Sequence, residues 1–272
     1  MAQSYTGEMF DLSGKTAVVT GGAGVIGTDL AVALARAGAR VALWDVRDDA
    51  LAAAAERIRQ ESGRRECVLA QKVDLMSEDS LRAGIAAVLK AWGRFELLVN
   101  ACGGNRGKSP LVETDMQQFE FILKLNLIAG CFLPLKIIAA YWMREKIKGC
   151  VINIASMASY VPLSGVWAYS AAKAAVLNQT MAAAKELAPH GIRVNAIAPG
   201  FFLGEQNRRL LVNEDGSLTE RGQAVVAHTP FGRFGEAHEL VGAVLFLASE
   251  KAAGFVTGVT VPIDGGYLIQ NI

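Results

Sequence analysis

The sequence predicts one α/β domain, a doubly wound Rossmann-type fold in which a parallel seven-stranded sheet carries helices on both faces. Short apolar runs alternate with longer helical patterns along almost the whole chain, and a glycine-rich turn joins the first run to the first helix. Such alternation builds a parallel sheet because each helix returns the chain to the same end of the sheet. No internal repeat or low-complexity linker divides the 272 residues, so we assign residues 1–272 to a single domain.

Seven short apolar runs are the predicted strands. They are rich in Val, Ile, Leu and Ala, as expected of strands that are buried on both faces. Their predicted bounds are Thr16–Thr20, Arg40–Trp44, Glu66–Gln71, Phe95–Val99, Cys150–Ile154, Arg193–Ala198 and Gly258–Val261.

Six longer segments between these runs are predicted helices, because their Ala and Leu residues recur at helical spacing. Their predicted bounds are Val25–Ala37, Asp49–Glu61, Ser77–Trp92, Met116–Lys146, Trp167–Ala188 and Ala237–Ser249. Residues 201–235, the lid segment, interrupt the alternation after the sixth strand. Long insertions at the carboxyl end of a strand are usually lids or binding loops, so we predict a substrate lid here, with a solvated surface excursion as the alternative.

Composition argues against several classes of function. The net charge is +1 without any block of like charge, whereas a nucleic-acid-binding protein needs a basic patch. The N-terminus lacks an apolar core of signal-peptide length, and Leu127–Met143, interrupted by Pro134 and Lys136, falls short of the roughly 20 apolar residues of a membrane span. The four cysteines form no CxxC pair, so we expect free thiols, no metal site and a cytoplasmic protein.

The turn after the first strand predicts a dinucleotide site. Its glycines read GxGxxG directly before an apolar helix, so the backbone can approach a pyrophosphate while free N–H groups at the helix start attract the charge. A purely structural tight turn is the alternative. The residues predicted to contact the phosphates are Gly21, Gly22, Gly24, Val25, Ile26 and Gly27.

Asp45, at the end of the second strand, predicts NAD rather than NADP. Its carboxylate can accept hydrogen bonds from the adenosine ribose and would repel a 2′-phosphate. Arg47 argues the other way, because a nearby arginine can accommodate that phosphate. The alternative role for Asp45 is to cap the following helix, as Asp48 could also do.

Tyr169 and Lys173 form the predicted proton-transfer pair. They are four residues apart on an Ala-rich helix, so both side chains leave one face. We expect the lysine ammonium, helped by an oxidised nicotinamide, to lower the pKa of the phenol, which could then exchange a proton with an alcohol or carbonyl. Ser156, past the fifth strand, would hold the substrate oxygen; Asn126 is a buried amide that either binds a relay water to Lys173 or kinks its helix.

These motifs together resemble the short-chain dehydrogenase/reductase family over essentially the whole chain. The matching residues are the glycine-rich turn, Asp74, Asn100-Ala101-Cys102-Gly103, Asn126, Ser156, Tyr169, Lys173, Asn195 and Pro199-Gly200. The resemblance implies that Asn126, Ser156, Tyr169 and Lys173 are a catalytic tetrad, of which Tyr169 and Lys173 also contact the cofactor. It further implies cofactor contacts from Asp74, Leu75, Asn100, Ala101, Gly103, Pro199, Gly200 and Phe202, and a tetramer built on the long apolar helices.

The chain departs from the family pattern at two positions. Val25 stands where the middle glycine of the turn is usual, which puts in question which amide meets which phosphate. Gly204 lies near the place of a threonine that usually binds the nicotinamide carboxamide, so that contact is lost or moved.

Polar groups in two loops predict a polyhydroxylated or carboxylated substrate, because amides suit hydroxyl groups and arginine pairs with carboxylates. The predicted substrate contacts are Ser156, Asn105, Arg106, Gln206, Asn207 and Arg208. The alternative is that these loop charges are merely solvated. Segments of the lid are similar to those of a subgroup described as fructuronate reductases (D-mannonate oxidoreductases), which implies NADH-linked reduction of D-fructuronate to D-mannonate.

Two alternatives to this function stay open. One is a reductase of another keto sugar, a polyol or a 3-oxoacyl thioester. The other is a nucleotide-sensing regulator that retains the fold without catalysis; an intact set of proton-transfer residues argues against it.

Overall fold

The computed structural model describes residues 4–204, 208 and 210–270, and it confirms a seven-stranded parallel sheet with strand order β3-β2-β1-β4-β5-β6-β7. The strands are β1 Thr16–Thr20, β2 Arg40–Asp45, β3 Val68–Lys72, β4 Leu97–Asn100, β5 Cys150–Ile154, β6 Arg193–Pro199 and β7 Thr260–Ile263. The chain runs outward from β1 to β3 and then returns to β4 on the other side of β1. A crevice for ligands therefore opens at the carboxyl ends of β1 and β4, where the winding reverses.

Helices cover both faces of this sheet. They are α1 Tyr5–Met9, α2 Val25–Arg36, α3 Asp48–Ser62, α4 Glu78–Trp92, α5 Met116–Leu123, α6 Leu133–Arg144, α7 Trp167–Leu187, α8 Glu220–Ala227, α9 Val241–Ala248 and α10 Glu250–Ala253. The prediction did not include α1, α8 and α10. Each has at most eight residues, too few turns for an apolar stripe to recur clearly.

Alternate residues of each strand face opposite layers, which explains why helices are needed on both sides. Val19 and Leu43 pack in one apolar cluster with α2, α3 and α9, whereas Val18 and Trp44 pack in a second cluster with α4 and α6. All four side chains are fully buried. The central strands are thus mostly apolar, with Asn153 in β5 and Asn195 in β6 as buried polar exceptions.

The predicted helix Met116–Lys146 is not one regular α-helix. A π-helical segment, Lys124–Phe132, lies between α5 and α6. By length and composition, the 29-residue run Met116–Arg144 is apolar enough to cross a membrane, with a mean hydropathy of 1.9, but half of its most apolar window is buried in the fold. This burial matches a core helix, which has the same composition as a membrane span.

The lid segment starts after β6, and its two ends are paired with each other. Phe202 pairs with Gly235 in an isolated bridge, and the Gly235 N–H donates to the Phe201 carbonyl at 2.9 Å. Between these ends lie a short turn, in which Val212 pairs with Leu218, and helix α8. The segment therefore stands as a structured excursion at the carboxyl end of the sheet, beside the crevice.

Candidate active site

The glycine-rich turn has the shape that a dinucleotide pyrophosphate requires. Gly21 has a φ of 60°, and a Cβ there would lie 2.7 Å from the Cα of Cys102. A Cβ on Gly27 would lie 2.3 Å from the Gly21 carbonyl oxygen, so only glycines allow the turn and α2 to pack this closely. The residue before α2 is Gly24, which has no side chain to cap the first N–H groups of the helix. These N–H groups are left to bind an anion, and the site fits a dinucleotide.

Val25 takes the place of the usual family glycine without filling the turn. It is the first residue of α2, and its side chain is 42% exposed, so it points away from the packed interior. Gly22 instead takes a buried position, because a Cβ there would lie 2.9 Å from Leu43. The Thr28 hydroxyl donates to the Gly22 carbonyl at 2.9 Å and ties the turn to the next turn of α2.

Asp45 lies buried at the carboxyl end of β2, beside the glycine-rich turn. Its carboxylate accepts hydrogen bonds from the backbone N–H groups of Ala23, Val46 and Arg47 at 3.2, 2.9 and 3.2 Å. The Arg47 guanidinium also donates to both carboxylate oxygens, at 3.1 and 3.2 Å. The arginine is therefore paired with the acid. Asp45 does not cap α3, which begins after Arg47.

The residues predicted along the rest of the cofactor channel follow β3 and β4. Asp74 is exposed and accepts a hydrogen bond from the Met76 N–H at 2.9 Å, while the Leu75 side chain is buried in the core. Ala101 is half-buried and follows Asn100, whose side-chain Oδ1 is buried without a hydrogen-bond partner among the described residues. An unpaired buried acceptor costs free energy, so it favours a donor bound at this place.

Ser156, Tyr169 and Lys173 meet at the carboxyl end of β5. The Tyr169 hydroxyl lies close enough to the Ser156 hydroxyl for that group to lower its pKa. The Lys173 Nζ lies 5.7 Å from the centroid of the Tyr169 ring and donates to the Ile154 carbonyl at 2.7 Å. Lys173 is 4% exposed, so its ammonium is held inside the protein, directly beneath the phenol.

The prediction that Lys173 lowers the pKa of Tyr169 is wrong for the protein without its cofactor. Burial raises the pKa of Tyr169 above that of an ordinary phenol, and the nearby Ser156 hydroxyl lowers it in part. Burial also lowers the pKa of Lys173 to about 8, and its nearest acceptor is the Ile154 carbonyl rather than the phenol. Desolvation therefore outweighs the attraction between the two side chains.

Asn126 lies in the π-helical segment and is fully buried. Its amide Nδ2 donates to the Gly104 and Ile122 carbonyls at 2.7 and 2.9 Å, and its Oδ1 accepts from the Gly104 N–H at 3.0 Å. Protein groups therefore satisfy the amide, and it needs no relay water as a partner. The kinked helix, the alternative considered for Asn126, is present as the π-helix.

Gly103 separates Asn126 from Lys173. A Cβ on Gly103 would lie 2.7 Å from the Asn126 Oδ1 and 3.4 Å from the Lys173 Nζ. Only a glycine leaves room for the two side chains on either side of this backbone. The four residues predicted as a tetrad thus lie around Gly103 and the end of β5. Asn126 holds the loop at Gly104 in place. Among the described residues, no recorded contact joins Asn126 to Tyr169.

Pro199 ends β6, and Gly200 follows it directly. Gly200 donates to the Ile263 carbonyl at 2.8 Å, and a Cβ there would lie 2.7 Å from the Cα of Asp264. The Phe202 ring packs against Gly235, where a Cβ would be 2.5 Å from it. The Phe202 side chain therefore packs against the other end of the lid segment.

Of the residues predicted to bind substrate, Asn105 and Arg106 lie in the loop 103–109 beside α5. The Asn105 amide donates to the Gly107 carbonyl at 2.8 Å. The Arg106 guanidinium lies over the Phe121 ring, 4.8 Å from its centroid, and the Arg106 carbonyl accepts a hydrogen bond from Gln118. Both residues are exposed, but their polar groups are already engaged by the loop itself.

The other predicted substrate residues lie in the lid segment. Gln206 and Asn207 lie outside the described residues. Arg208 is exposed, and its N–H donates to the Gly204 carbonyl at 2.9 Å. The part of the chain that the structure describes has no cluster of three His, Cys, Asp or Glu residues that could hold a metal.

The sequence analysis did not identify a series of hydrogen-bonded, buried polar side chains next to the site. Asn100 donates to Asn153 at 2.9 Å, Asn153 donates to the Thr180 hydroxyl at 2.9 Å, and that hydroxyl donates to the Val176 carbonyl at 2.8 Å. These hydrogen bonds join β4, β5 and α7 behind Tyr169. The available signal was Asn153 within an otherwise apolar strand, since a polar residue at such a place needs a partner.

Comparisons with known proteins agree with this geometry. A family model described as Enoyl-(Acyl carrier protein) reductase matches residues 21–268. The "Uncharacterized oxidoreductase UxuB" of Bacillus subtilis is 40% identical over 274 residues, which cover 96% of this chain and 97% of that protein.

Two solved structures extend the comparison. A Haemophilus influenzae protein with bound NAD, provisionally described as a D-mannonate oxidoreductase, is 32% identical with a TM-score of 0.86 and covers 98% of this chain and 99% of its own. A gluconate 5-dehydrogenase from Burkholderia cenocepacia, solved with NADP and tartrate, is 32% identical with a TM-score of 0.87. The match covers 98% of this chain and 100% of that chain. With the dinucleotide turn and the Ser156–Tyr169–Lys173 group, these matches show that the chain belongs to the short-chain dehydrogenase/reductase family of NAD(P)-dependent oxidoreductases.

Proposed function

We propose that this protein is a cytoplasmic, homotetrameric NAD(H)-dependent oxidoreductase that interconverts D-fructuronate and D-mannonate. The observation that carries the chemistry is the position of the buried Lys173 ammonium, 5.7 Å from the Tyr169 ring centroid, with the Ser156 hydroxyl near the phenol. The choice of substrate is supported by cationic side chains in the loop 103–109 and in the lid segment, and by the Haemophilus influenzae relative described as a D-mannonate oxidoreductase.

The protein's own residues supply the proton and hold the reacting oxygen. In the direction of reduction, Ser156 donates a hydrogen bond to the substrate carbonyl oxygen, and Tyr169 transfers its hydroxyl proton to that oxygen. Lys173 keeps a positive charge beneath the phenolate that remains. When bound, the nicotinamide supplies the hydride for reduction or accepts it for oxidation. In the direction of oxidation, the Tyr169 phenolate takes the proton back.

The preference for NAD rests on Asp45. Its buried carboxylate lies beside the glycine-rich turn, where it would accept hydrogen bonds from ribose hydroxyls and repel a 2′-phosphate. Arg47 is paired with Asp45 and is not free to receive that phosphate. One relative contains NAD and another contains NADP, so the relatives do not distinguish the two cofactors. Our choice of NAD therefore rests on the charge of Asp45.

The rate of carbonyl reduction is expected to fall as the pH rises through about 8, the lowered pKa of Lys173. Above that value the ammonium loses its proton and no longer stabilises the developing phenolate. The raised pKa of Tyr169 keeps the phenol protonated over the same range. Oxidation of mannonate, which needs the phenolate, should rise only above this range, where the Tyr169 phenol itself loses its proton. Initial rates in both directions, followed by NADH absorbance, check this; a reduction rate that stays flat through pH 8 contradicts a role for the Lys173 ammonium.

A substrate panel tests the proposed reaction directly. The panel contains D-fructuronate, D-tagaturonate, uncharged keto sugars and an acetoacetyl thioester, each with NADH and with NADPH. We expect the highest kcat/KM for D-fructuronate with NADH. Turnover of the thioester alone would contradict the sugar-acid proposal, and cofactor binding without turnover of any carbonyl would favour a non-catalytic regulator.

A second candidate reaction is the interconversion of gluconate and a ketogluconate. It is favoured by the gluconate 5-dehydrogenase of Burkholderia cenocepacia, whose structure contains NADP and the dicarboxylate tartrate. The same panel with 5-ketogluconate added separates the two reactions. Both candidates share an anionic substrate.

A further inference from the structure

Asp264 fixes the backbone of the turn that follows β7, which we call the C-terminal turn (residues 264–268). The Asp264 carboxylate accepts hydrogen bonds from the Gly266 and Leu268 N–H groups, each at 2.9 Å. The Asp264 carbonyl accepts from the Tyr267 N–H at 3.2 Å. Gly266 has a φ of 90°, which a residue with a side chain rarely adopts. Tyr267 is therefore held in a defined position at the carboxyl end of the sheet.

The lid segment packs closely on the C-terminal turn. A Cβ on Gly265 would lie 2.9 Å from the Thr229 Cγ2. A Cβ on Gly266 would lie 2.9 Å from the Pro230 Cγ. The Phe231 N–H also donates to the Gly265 carbonyl at 3.1 Å. The two glycines thus form a surface on which the residues after α8 rest.

The Tyr267 ring contacts the lid segment at two places. Its centroid lies 5.2 Å from that of Phe201, the first residue of the segment, with the ring planes tilted by 56°. It lies 4.6 Å from the centroid of the His228 ring, which follows α8, in an edge-to-face arrangement. Rings at such distances and angles attract each other beyond the burial of their surface. One side chain of the C-terminal turn therefore joins two parts of the lid segment that are 27 residues apart.

The same ring packs against a small apolar cluster beside Ser156. Two members of the cluster, Ala155 and Met157, flank Ser156 in the sequence, and each is at most 2% exposed. A third member, Ala198, lies near the end of β6, where the lid segment starts. Tyr267 thus joins the lid segment to the backbone that carries the Ser156 hydroxyl.

Packing elsewhere at the base of the lid segment is incomplete. A cleft of about 440 Å³ is lined by Phe202, Phe231, Ile263 and Asp264, among others. Side chains that line a cleft lack the van der Waals contacts that a closely packed interior supplies. The aromatic contacts of Tyr267 therefore take a larger share in holding the lid segment in place.

We propose that Tyr267 is a positioning residue for the substrate, which holds the lid segment in register with Ser156. Its effect on the binding of a sugar acid rests on the proposed function, whereas its hold on the lid segment does not. The Tyr267 hydroxyl has no recorded hydrogen bond among the described residues, so the ring performs this role. Without the ring, substrate binding has to order the lid segment as well, and that ordering lowers affinity.

The first test compares Tyr267→Ala with Tyr267→Phe in the full-length enzyme. Tyr267→Ala should raise KM for D-fructuronate about 5- to 100-fold, the combined contribution of two aromatic contacts, and change kcat and the Kd of NADH much less. Tyr267→Phe keeps the ring and should have a KM close to that of the unmodified enzyme. An unchanged KM in Tyr267→Ala, or an equal rise in Tyr267→Phe, overturns the proposal.

Tyr141→Ala is the matched control for the loss of a packed tyrosine ring. Tyr141 lies in α6 and stacks on Phe95 at 5.3 Å, and it has no recorded contact with the lid segment among the described residues. This variant should lower the melting temperature at least as much as Tyr267→Ala without raising KM. If both variants raise KM equally, the effect reports general stability, and Tyr267 has no positioning role.

Limited trypsin digestion of the enzyme without substrate gives a measurement that is independent of the reaction. The lid segment contains the cleavage sites Arg208 and Arg221. Tyr267→Ala should be cut there at least about 5-fold faster than the unmodified enzyme, because cleavage follows local opening of the segment, whereas Tyr267→Phe should not. Equal rates in all three proteins overturn the role of Tyr267. If digestion behaves as expected but no sugar acid is reduced, the proposed function fails and the hold on the lid segment stands.

Discussion

Tyr169→Phe is expected to reduce turnover by at least about 10²- to 10⁴-fold, the usual contribution of a positioned proton donor, while NADH binding stays nearly normal. Phenylalanine keeps the ring and its packing over Lys173, and it removes only the hydroxyl near Ser156. Without that hydroxyl, no group remains at this place to exchange a proton with the substrate oxygen. The measurement is kcat for both directions, together with NADH binding by fluorescence titration.

Tyr160→Phe is the matched control for this substitution. Tyr160 is 44% exposed and has no recorded contact with Lys173 among the described residues, and we assign it no part in proton transfer. We expect this variant to retain nearly full activity. If Tyr169→Phe keeps activity comparable to that of Tyr160→Phe, then Tyr169 is not the proton donor. If instead Tyr169→Phe no longer binds NADH, the result reports a damaged cofactor site and not the loss of the proton.

Asp45→Ala is expected to relax the preference for NAD by about 10- to 100-fold in the ratio of kcat/KM values, because it removes a charge that a 2′-phosphate would meet at close range. The substitution also frees the Arg47 guanidinium, which now donates to both Asp45 oxygens. Arg47 would then be available to the phosphate. The measurement is kcat/KM for NADH and NADPH with one sugar acid.

Two further substitutions at acidic residues distinguish charge from structure in this experiment. Asp45→Asn removes the charge and keeps one oxygen, which can still accept from the Val46 N–H, whereas the Ala23 N–H, which bonds the other carboxylate oxygen, loses its acceptor. This variant should therefore shift the ratio and lose less stability than Asp45→Ala. Asp48→Asn, an exposed residue bonded to Lys72, should leave the cofactor ratio unchanged. An unchanged ratio in both Asp45 variants would contradict the assignment of Asp45 as the determinant of NAD.

The fold and the cofactor turn were open to prediction because they depend on local patterns. The apolar runs that became β1 and β5 had their bounds predicted correctly, since turns and charged residues flank them sharply. β7 was predicted two residues early, at Gly258 rather than Thr260. Val256 and Val259, which precede the strand, are as apolar as Val261 within it, so the pattern does not mark a start.

The site was predictable in its membership but not in its electrostatics. Spacing alone indicated that Tyr169 and Lys173 share a helix face, and they do lie together. The predicted direction of the Tyr169 pKa shift does not hold for the protein without its cofactor, because the shift depends on how deeply the pair is buried and on the Ile154 carbonyl, which accepts a hydrogen bond from the Lys173 ammonium. Burial and carbonyl direction are properties of the assembled sheet, which no short motif encodes.

The π-helix was also beyond the reach of the sequence pattern. Its apolar residues recur at a spacing that an α-helix would accommodate as well, and the hydrogen bonds of Asn126 to the Gly104 backbone come from a loop 22 residues away. Contacts of this range follow from topology, and the topology becomes visible only with the whole fold.

The hydrogen bonds of Asn126 constrain how this protein can change in evolution. They tie the loop at Gly104 to one angular position on the helix, and a helix turns by about 100° for each residue. A single-residue insertion or deletion between Met116 and Asn126 would therefore rotate the amide off the loop and open the wall beside Lys173. Length variation among related chains is expected to be absent there and to accumulate in the turn around Asn213–Ser217, which lies at the surface.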